Sequence, residues 1–267
     1  MNIHRLGNDV TVLNDQFEIP ALGHLPINAF VLHAEQPVVV DTGVGTPDRD
    51  FLSTLSSVID PADVKWIYLT HPDRDHTGGL YDLLEAAPEA RVITTFLGVG
   101  ILSCENPLPM DRVYLLNPGQ RIDVGDRSLA AFRPPLFDSP ATTGFFDTRT
   151  GVCFSSDCFG AVMESPDHAA VSDLAHMPQA ELKGRQQLWA TVDSPWVHNV
   201  DPKRFAGALS ELLRSDPTLV LSSHLPPTRS VTTLLDNLVD VPLADPFVGP
   251  DQAALEAMLA EFEPISA

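Results

Sequence analysis

The sequence is poor in cysteine, in basic residues and in long apolar runs. Cys104, Cys153 and Cys158 are its only cysteines, odd in number and without a C-x-x-C pair. That argues against a disulfide framework and against a zinc–thiolate site, and leaves packing in a reducing compartment as their expected role. Only 16 lysines and arginines stand against 36 acidic residues, for a formal net charge of −20. A field of that sign repels phosphate backbones, so nucleic acid is not an expected partner. No run approaches the roughly eighteen uninterrupted apolar residues that a membrane span needs. The opening Met1-Asn-Ile-His-Arg-Leu-Gly-Asn-Asp9 lacks the apolar stretch of a secretory signal. The expectation is therefore a cytoplasmic protein without membrane contact. Solenoid-period repeats and low-complexity tracts are also absent.

What is present is ordinary globular material: 267 residues, 44% hydrophobic and 19% charged, with no composition shift or linker. A single domain over 1–267 is expected. Ala29-Phe-Val-Leu-His33, Pro37-Val-Val-Val-Asp41 and Trp66-Ile-Tyr-Leu-Thr70 are apolar runs of strand length, and β-branched and aromatic residues fit a pleated, buried surface. The second ends on Asp41-Thr-Gly-Val-Gly45 and the third runs directly into His71. Leu80, Leu83 and Leu84 have helical spacing before Pro88, and Arg91-Val-Ile-Thr-Thr95 reads as the next strand. Asn117-Pro-Gly and Val124-Gly-Asp126 mark hairpin turns. Gly144–Asp147 and Val152–Ser155 read as a strand pair delivering Asp157, and Leu219–Ser222 as a strand delivering His224. Asp201-Pro202 is a helix N-cap signal, and Leu255, Met258, Leu259 and Phe262 line one face of an amphipathic helix at about 251–262. Two strand-rich halves, each followed by helices, suggest two packed sheets with helices outside, an αββα sandwich.

The chemistry concentrates in Thr70-His-Pro-Asp-Arg-Asp-His-Thr-Gly-Gly79. His71, Asp73, Asp75 and His76 offer four ligating groups on one loop, with the donor types expected for zinc, iron or manganese. Asp157 and His224 also stand at the ends of predicted strands, which is how distant ligands converge in layered α/β folds.

At these residues the chain resembles the metallo-β-lactamase superfamily, whose hallmark is H-x-H-x-D-H after a strand, with later His, Asp and His ligands. The resemblance runs from Phe30 to His224, and the fold it implies is the αββα sandwich. Asp73 stands where the hallmark has its second histidine. A carboxylate there resembles the oxygen-reactive di-iron, flavodiiron-like branch, as do His24–Phe30, Ser155-Ser-Asp-Cys-Phe-Gly160 and Trp196–Pro202. Carried over, one metal half is complete in Asp75, His76, Asp157 and His224, and the other keeps His71, Asp73 and a share of Asp157. No histidine lies between His76 and His168, so the ligand expected before the bridging aspartate is missing. The alignment puts Arg133 at that place, where its fixed charge would pair with Asp73 and leave a one-metal or asymmetric centre.

Two functions follow as expectations. One is a non-haem iron protein with one or two ions, binding or reducing dioxygen or nitric oxide with electrons from a separate redox partner. No residues are left here for the flavodoxin-like domain that flavodiiron enzymes carry. The other is a zinc- or manganese-dependent hydrolase of an ester, thioester, lactone or phosphodiester. There Asp75 would orient the metal-bound water and Arg133 would hold an anionic substrate group. Gly160–Gly184 and the acidic C-terminal stretch are candidate lid or homodimer elements.

Overall fold

A computed structural model describes residues 1–46 and 48–262. Seven strands form one sheet in sequence order: β1 (Asn2–Leu6), β2 (Val10–Ile19), β3 (Gly23–Leu32), β4 (Val38–Val40), β5 (Trp66–Tyr68), β6 (Arg91–Thr94) and β7 (Val113–Leu115). β1 to β4 are antiparallel hairpin neighbours, and β4 to β7 run parallel through helical crossovers. The second sheet has five strands, β8 (Arg121–Asp123), β9 (Ser128–Phe132), β10 (Gly144–Asp147), β11 (Val152–Phe154) and β12 (Leu219–Leu221), in the order β12-β11-β10-β9-β8. Only its β11–β12 pair is parallel.

The two-residue period of the strands builds the layers. Val38, Val40 and Tyr68 face the second sheet, where they meet Phe145, Val152, Phe154 and Leu221. Their neighbours Val39 and Ile67 point the other way, onto Phe51, Leu55, Leu80, Leu83 and Leu102 of the helices Phe51–Ser56, Leu80–Ala86 and Phe96–Glu105. Cys153 and Val220 face the helices Gln179–Asp193, Pro202–Arg214 and Val231–Leu238 through Leu182, Phe205, Leu209 and Leu234. Each such aliphatic side chain contributes about 1.5–3 kcal/mol on full burial. The result is the αββα sandwich expected from the sequence, with one core between the sheets and one under each helical layer.

Most of the expected elements are present at their places. Asp201 caps the helix Pro202–Arg214 by accepting from the Arg204 amide. The segment 160–184 differs from the expected lid. Ala161, Val162 and Met163 are fully buried, the Met163 backbone pairs with His24, and Ala169, Leu174, Met177 and Leu182 enter the core. Glu164, Asp167, Ser172 and Glu181 of the same segment are exposed. The chain has a helix over Gln252–Phe262. Leu255 and Leu259 of its apolar face are solvent-exposed, and the side chain of Phe262 lies outside the described residues. No described helix is long and apolar enough to cross a membrane.

Candidate metal centre

The centre lies where the parallel strands end. Val40 pairs with Tyr68 across β4 and β5, so Asp41 and Thr70-His71 leave the first sheet at one level. Phe154 pairs with Leu221 across β11 and β12, so Ser155-Ser156-Asp157 and Ser222-Ser223-His224 leave the second sheet together. Backbone bonds then tie the two sheets at this edge: Asn28 N–H to Ser223 C=O at 2.9 Å and Thr143 N–H to Thr70 C=O at 2.8 Å. Asp73 caps a single helical turn, Arg74–Thr77, through its carbonyl, and its side chain makes no capping bond. Its carboxylate is thereby left for the site. The turn needs Gly78, since a Cβ there would lie 2.1 Å from the Val44 carbonyl carbon. Asp41 and Ser156 adopt left-handed φ values of 56° and 53°. Such strain costs about 1–3 kcal/mol per residue and concentrates at functional sites.

Each histidine is oriented through Nδ1. His76 Nδ1–H donates to Asp41 Oδ2 at 2.8 Å, His224 Nδ1–H donates to the Pro26 carbonyl at 2.8 Å, and His71 Nδ1 lies 3.1 Å from Ser156 Oγ. Asp41 is itself fixed by the Thr70 amide and hydroxyl, both at 2.8 Å. The three Nε2 atoms are thereby aimed at one carboxylate. Asp157 Oδ2 lies 3.2 Å from His71, while its Oδ1 lies 3.2 Å from both His76 and His224. Asp75 Oδ2 stands 3.4 Å from His76 Nε2 and 3.3 Å from His224 Nε2. Despite these distances, His76 Nε2 and Asp157 Oδ1 are buried and make no hydrogen bond. Buried polar atoms without partners are costly. A cation held there would satisfy both, and outer hydrogen bonds of this kind are what metal-ligating histidines use.

The charges fit the same reading. Burial disfavours ionisation of Asp157 and Asp75, yet the imidazoles around them hold both carboxyls below the usual range. Burial likewise opposes charge on His76 and His224, but Asp157 and Asp75 outweigh it and raise both, His224 to about 9. His71 is lowered by burial, against the pull of Asp157. Burial pushes Asp73 up to about 6 and, with Asp157 and Asp138 nearby, Asp193 up to about 8. Among the described residues no lysine or arginine pairs with any of these carboxylates. Negative charge in excess around aligned imidazoles is the electrostatic form of a cation site.

The structure brings together His71, Asp73, Asp75, His76, Asp157 and His224, all six ligands expected from the sequence. Arg133 is not among them. Its guanidinium donates to the Pro140 carbonyl at 2.8 Å and lies over the Phe137 ring at 5.0 Å, with no ion pair to Asp73. The place beside His71 is taken by Asp138, whose Oδ1 is 3.7 Å from His71 Nε2. Asp193, the last residue of the helix Gln179–Asp193, adds a further carboxylate within 4.8 Å of those of Asp138 and Asp157. The sequence signal for Asp138 was its place in Phe137-Asp-Ser-Pro140, a turn directly before the strand pair that leads to Asp157. A search for histidine passes over it. Asp193 carries no local signal, because only helix packing brings it near.

Comparison with known proteins identifies the family and the fold. The family model described as "ODP family beta lactamase" matches residues 26–198. The anaerobic nitric oxide reductase flavorubredoxin of Salmonella arizonae is 27% identical over 206 residues, covering 76% of this chain and 42% of that protein. The protein of that name from Citrobacter koseri is 26% identical over the same length and coverage. The chain thus spans less than half the length of these curated relatives. Among solved structures, rubredoxin oxygen:oxidoreductase of Desulfovibrio gigas superposes with a TM-score of 0.75 at 16% identity, covering 92% of this chain and 63% of that one. The flavodiiron protein of Giardia intestinalis gives 0.74 at 15% identity, covering 90% and 59%. These last two likenesses concern the fold. With the family match spanning β4 to β11, the His71 loop and Asp157, the chain belongs to the ODP family of the metallo-β-lactamase fold.

Proposed function

We propose that this chain holds iron at the Asp157 centre and there binds and reduces dioxygen or nitric oxide, using electrons from a separate redox partner. The observation that carries this reading is the convergence of three Nδ1-anchored imidazoles on one buried carboxylate, within a ring of further aspartates. Bound iron would supply a redox-active ion with a coordination position for a small diatomic ligand. The chain supplies the frame. Asp157 spans the two halves, with Oδ2 toward His71 and Oδ1 toward His76 and His224. Asp41, Ser156 and the Pro26 carbonyl keep the imidazoles from turning. The histidines and Asp157 are sealed from water, whereas Asp73 is about half exposed, so the open side lies over the 73–75 loop. A carboxylate-rich ligand set favours iron or manganese over zinc relative to an all-histidine one. The hydrolytic alternative loses its anion anchor, because Arg133 is engaged with Pro140 and Phe137.

The test is anaerobic loading of the whole chain with ferrous iron, chemical reduction, and exposure to dioxygen or nitric oxide. The expected result is iron retained through gel filtration and a spectral change with consumption of the gas. Iron retained with no spectral change and no uptake of either gas overturns the proposal.

A further inference from the structure

The helix Gln252–Phe262 follows a mostly exposed connector, residues 245–251, that carries Pro246 and Pro250. None of residues 251–260 is buried, and Leu255 and Leu259, on one face with Met258, are 44% and 56% exposed. A helix of 11 residues is marginal in water by itself, so this one needs a surface to lie on. The charged residues within 251–260 are Asp251 and Glu256, both acidic. A complementary surface lies on the helix Pro202–Arg214. Arg204, Ala208, Glu211 and Ser215, three and four residues apart, line two cavities of about 350 Å³ and about 550 Å³ that share Ala208 and Pro135. Joined there, the cavities form one groove along the helix axis. From Arg204 to Ser215 it runs roughly 16 Å, the length of an 11-residue helix at 1.5 Å per residue. Its facing wall is apolar, with Phe132, Phe146 and Trp196 only partly buried. Arg133 and Arg204 also line it, and among the described residues neither forms an ion pair, whereas Glu211 is 3.6 Å from Arg214 and Asp201 caps its helix.

We propose that the helix Gln252–Phe262 lies in this groove of a second copy of the chain, and that two copies exchange helices reciprocally. Each chain carries both the apolar helix face and the groove, so an exchange about a twofold axis closes with neither left open. Leu255, Met258 and Leu259 enter between Ala208 and the aromatic wall, where the small Ala208 side chain allows two helices to approach closely. The acidic helix meets two guanidinium groups free of carboxylates. That local complementarity offsets the repulsion between two chains of net charge −20. Exposed along its length, the helix is available to the second copy rather than committed to its own core. The exchange uses no ligand of the metal centre and is independent of the function proposed above.

The test is the oligomeric state of the full chain, read by sedimentation velocity over a concentration series. The expected result is a reversible dimer whose dissociation constant rises with salt. The double variant Leu255→Asp, Leu259→Asp should weaken the dimer at least about 30-fold, the scale of losing a central apolar anchor. Ala208→Arg, which fills the groove from the other side, should do the same, with the circular dichroism of both variants unchanged. Mixed together, the two variants retain one intact helix–groove pair per dimer. A heterodimer should therefore form at concentrations where each variant alone is monomeric. A wild-type chain that stays monomeric overturns the inference, whether its helix folds back onto its own groove or stays free. A dimer that neither variant weakens overturns it too, as does a mixture of the variants that remains monomeric.

Discussion

Replacing Asp41 by asparagine changes one atom and removes no ligand of the centre, yet should weaken its hold on metal. Asp41 is fully buried and accepts from the Thr70 amide, the Thr70 hydroxyl and His76 Nδ1, each at 2.8 Å, with the Ser223 hydroxyl at 3.4 Å. Asparagine keeps one acceptor oxygen and gains an amide that can only donate. If the oxygen stays with the Thr70 amide, the new NH2 faces His76 Nδ1, and the imidazole must turn or change tautomer. Loss of such an outer partner typically lowers metal affinity 10- to 100-fold, about 1.4–2.7 kcal/mol. Thr70→Val removes one donor to Asp41 and should cost less, about 0.5–1.5 kcal/mol. Competition with a chelator of known affinity, followed by bound metal, measures both variants on one scale. A folded Asp41→Asn variant with wild-type affinity would refute the claim that Asp41 sets the His76 orientation.

Other consequences lie at greater distance or in pH. Arg127 is buried and pairs with Asp147 at 3.0 Å, with Asp126 at 2.8 Å and with Asp9 at 2.9 Å. Arg127→Met strands the buried Asp147 charge, so denaturant unfolding should show a loss of about 3–5 kcal/mol, with metal content per folded chain unchanged. Leu182→Ala should cost about 2–5 kcal/mol if residues 160–184 belong to the core, whereas a lid residue would change stability by less than about 0.5 kcal/mol. His76 and His224 have raised pKa values in the metal-free fold, His224 about 9. Their stabilising protons are fully present below the unfolded value of about 6.5 and are lost as pH rises through the folded one. Asp193, raised to about 8, likewise binds more protons folded than unfolded as pH climbs to that value. The metal-free chain should therefore lose stability between about pH 6.5 and 9, and metal uptake should release protons and tighten over the same window. Titration calorimetry in buffers of different ionisation enthalpy reads the proton count, and no release at pH 7 contradicts the assignment.

The strands that position the site were legible because each is a short, continuous apolar run: Val38-Val-Val40, Trp66-Ile-Tyr68, Val152-Cys-Phe154 and Leu219-Val-Leu221. Strands covered on both faces need no polar alternation, so the runs announce themselves and the ligands follow at their ends. The β2–β3 hairpin was harder to see. Its ten-residue strands carry Asn14 and Asn28 in buried positions. There Asn14 donates to Asn28 at 2.9 Å, and Asn28 donates to the carbonyls of Ser222 and Leu225. Those partners are remote in sequence, so the asparagines look like surface residues until the fold is known. The helix Gln179–Asp193 hides in the same way. Its inner face includes Leu182, Gln186 and Ala190, and the buried Gln186 side chain is satisfied by the Phe159 carbonyl and Asn237. Alignment of Ser139-Pro140 and Asp157 with the flavodiiron-like pattern puts Arg133 at the vacant ligand position. The chain instead turns at Phe137–Pro140, swinging Arg133 outward and Asp138 inward.

The central claim is that Asp157 is the shared carboxylate of a metal centre. Iron content per chain, measured by elemental analysis after anaerobic loading and gel filtration, tests it in wild type beside Asp157→Asn. Bound iron in the wild type and its loss in a folded Asp157→Asn chain is the result the account predicts. Equal iron in both chains, or none in the wild type, would contradict it.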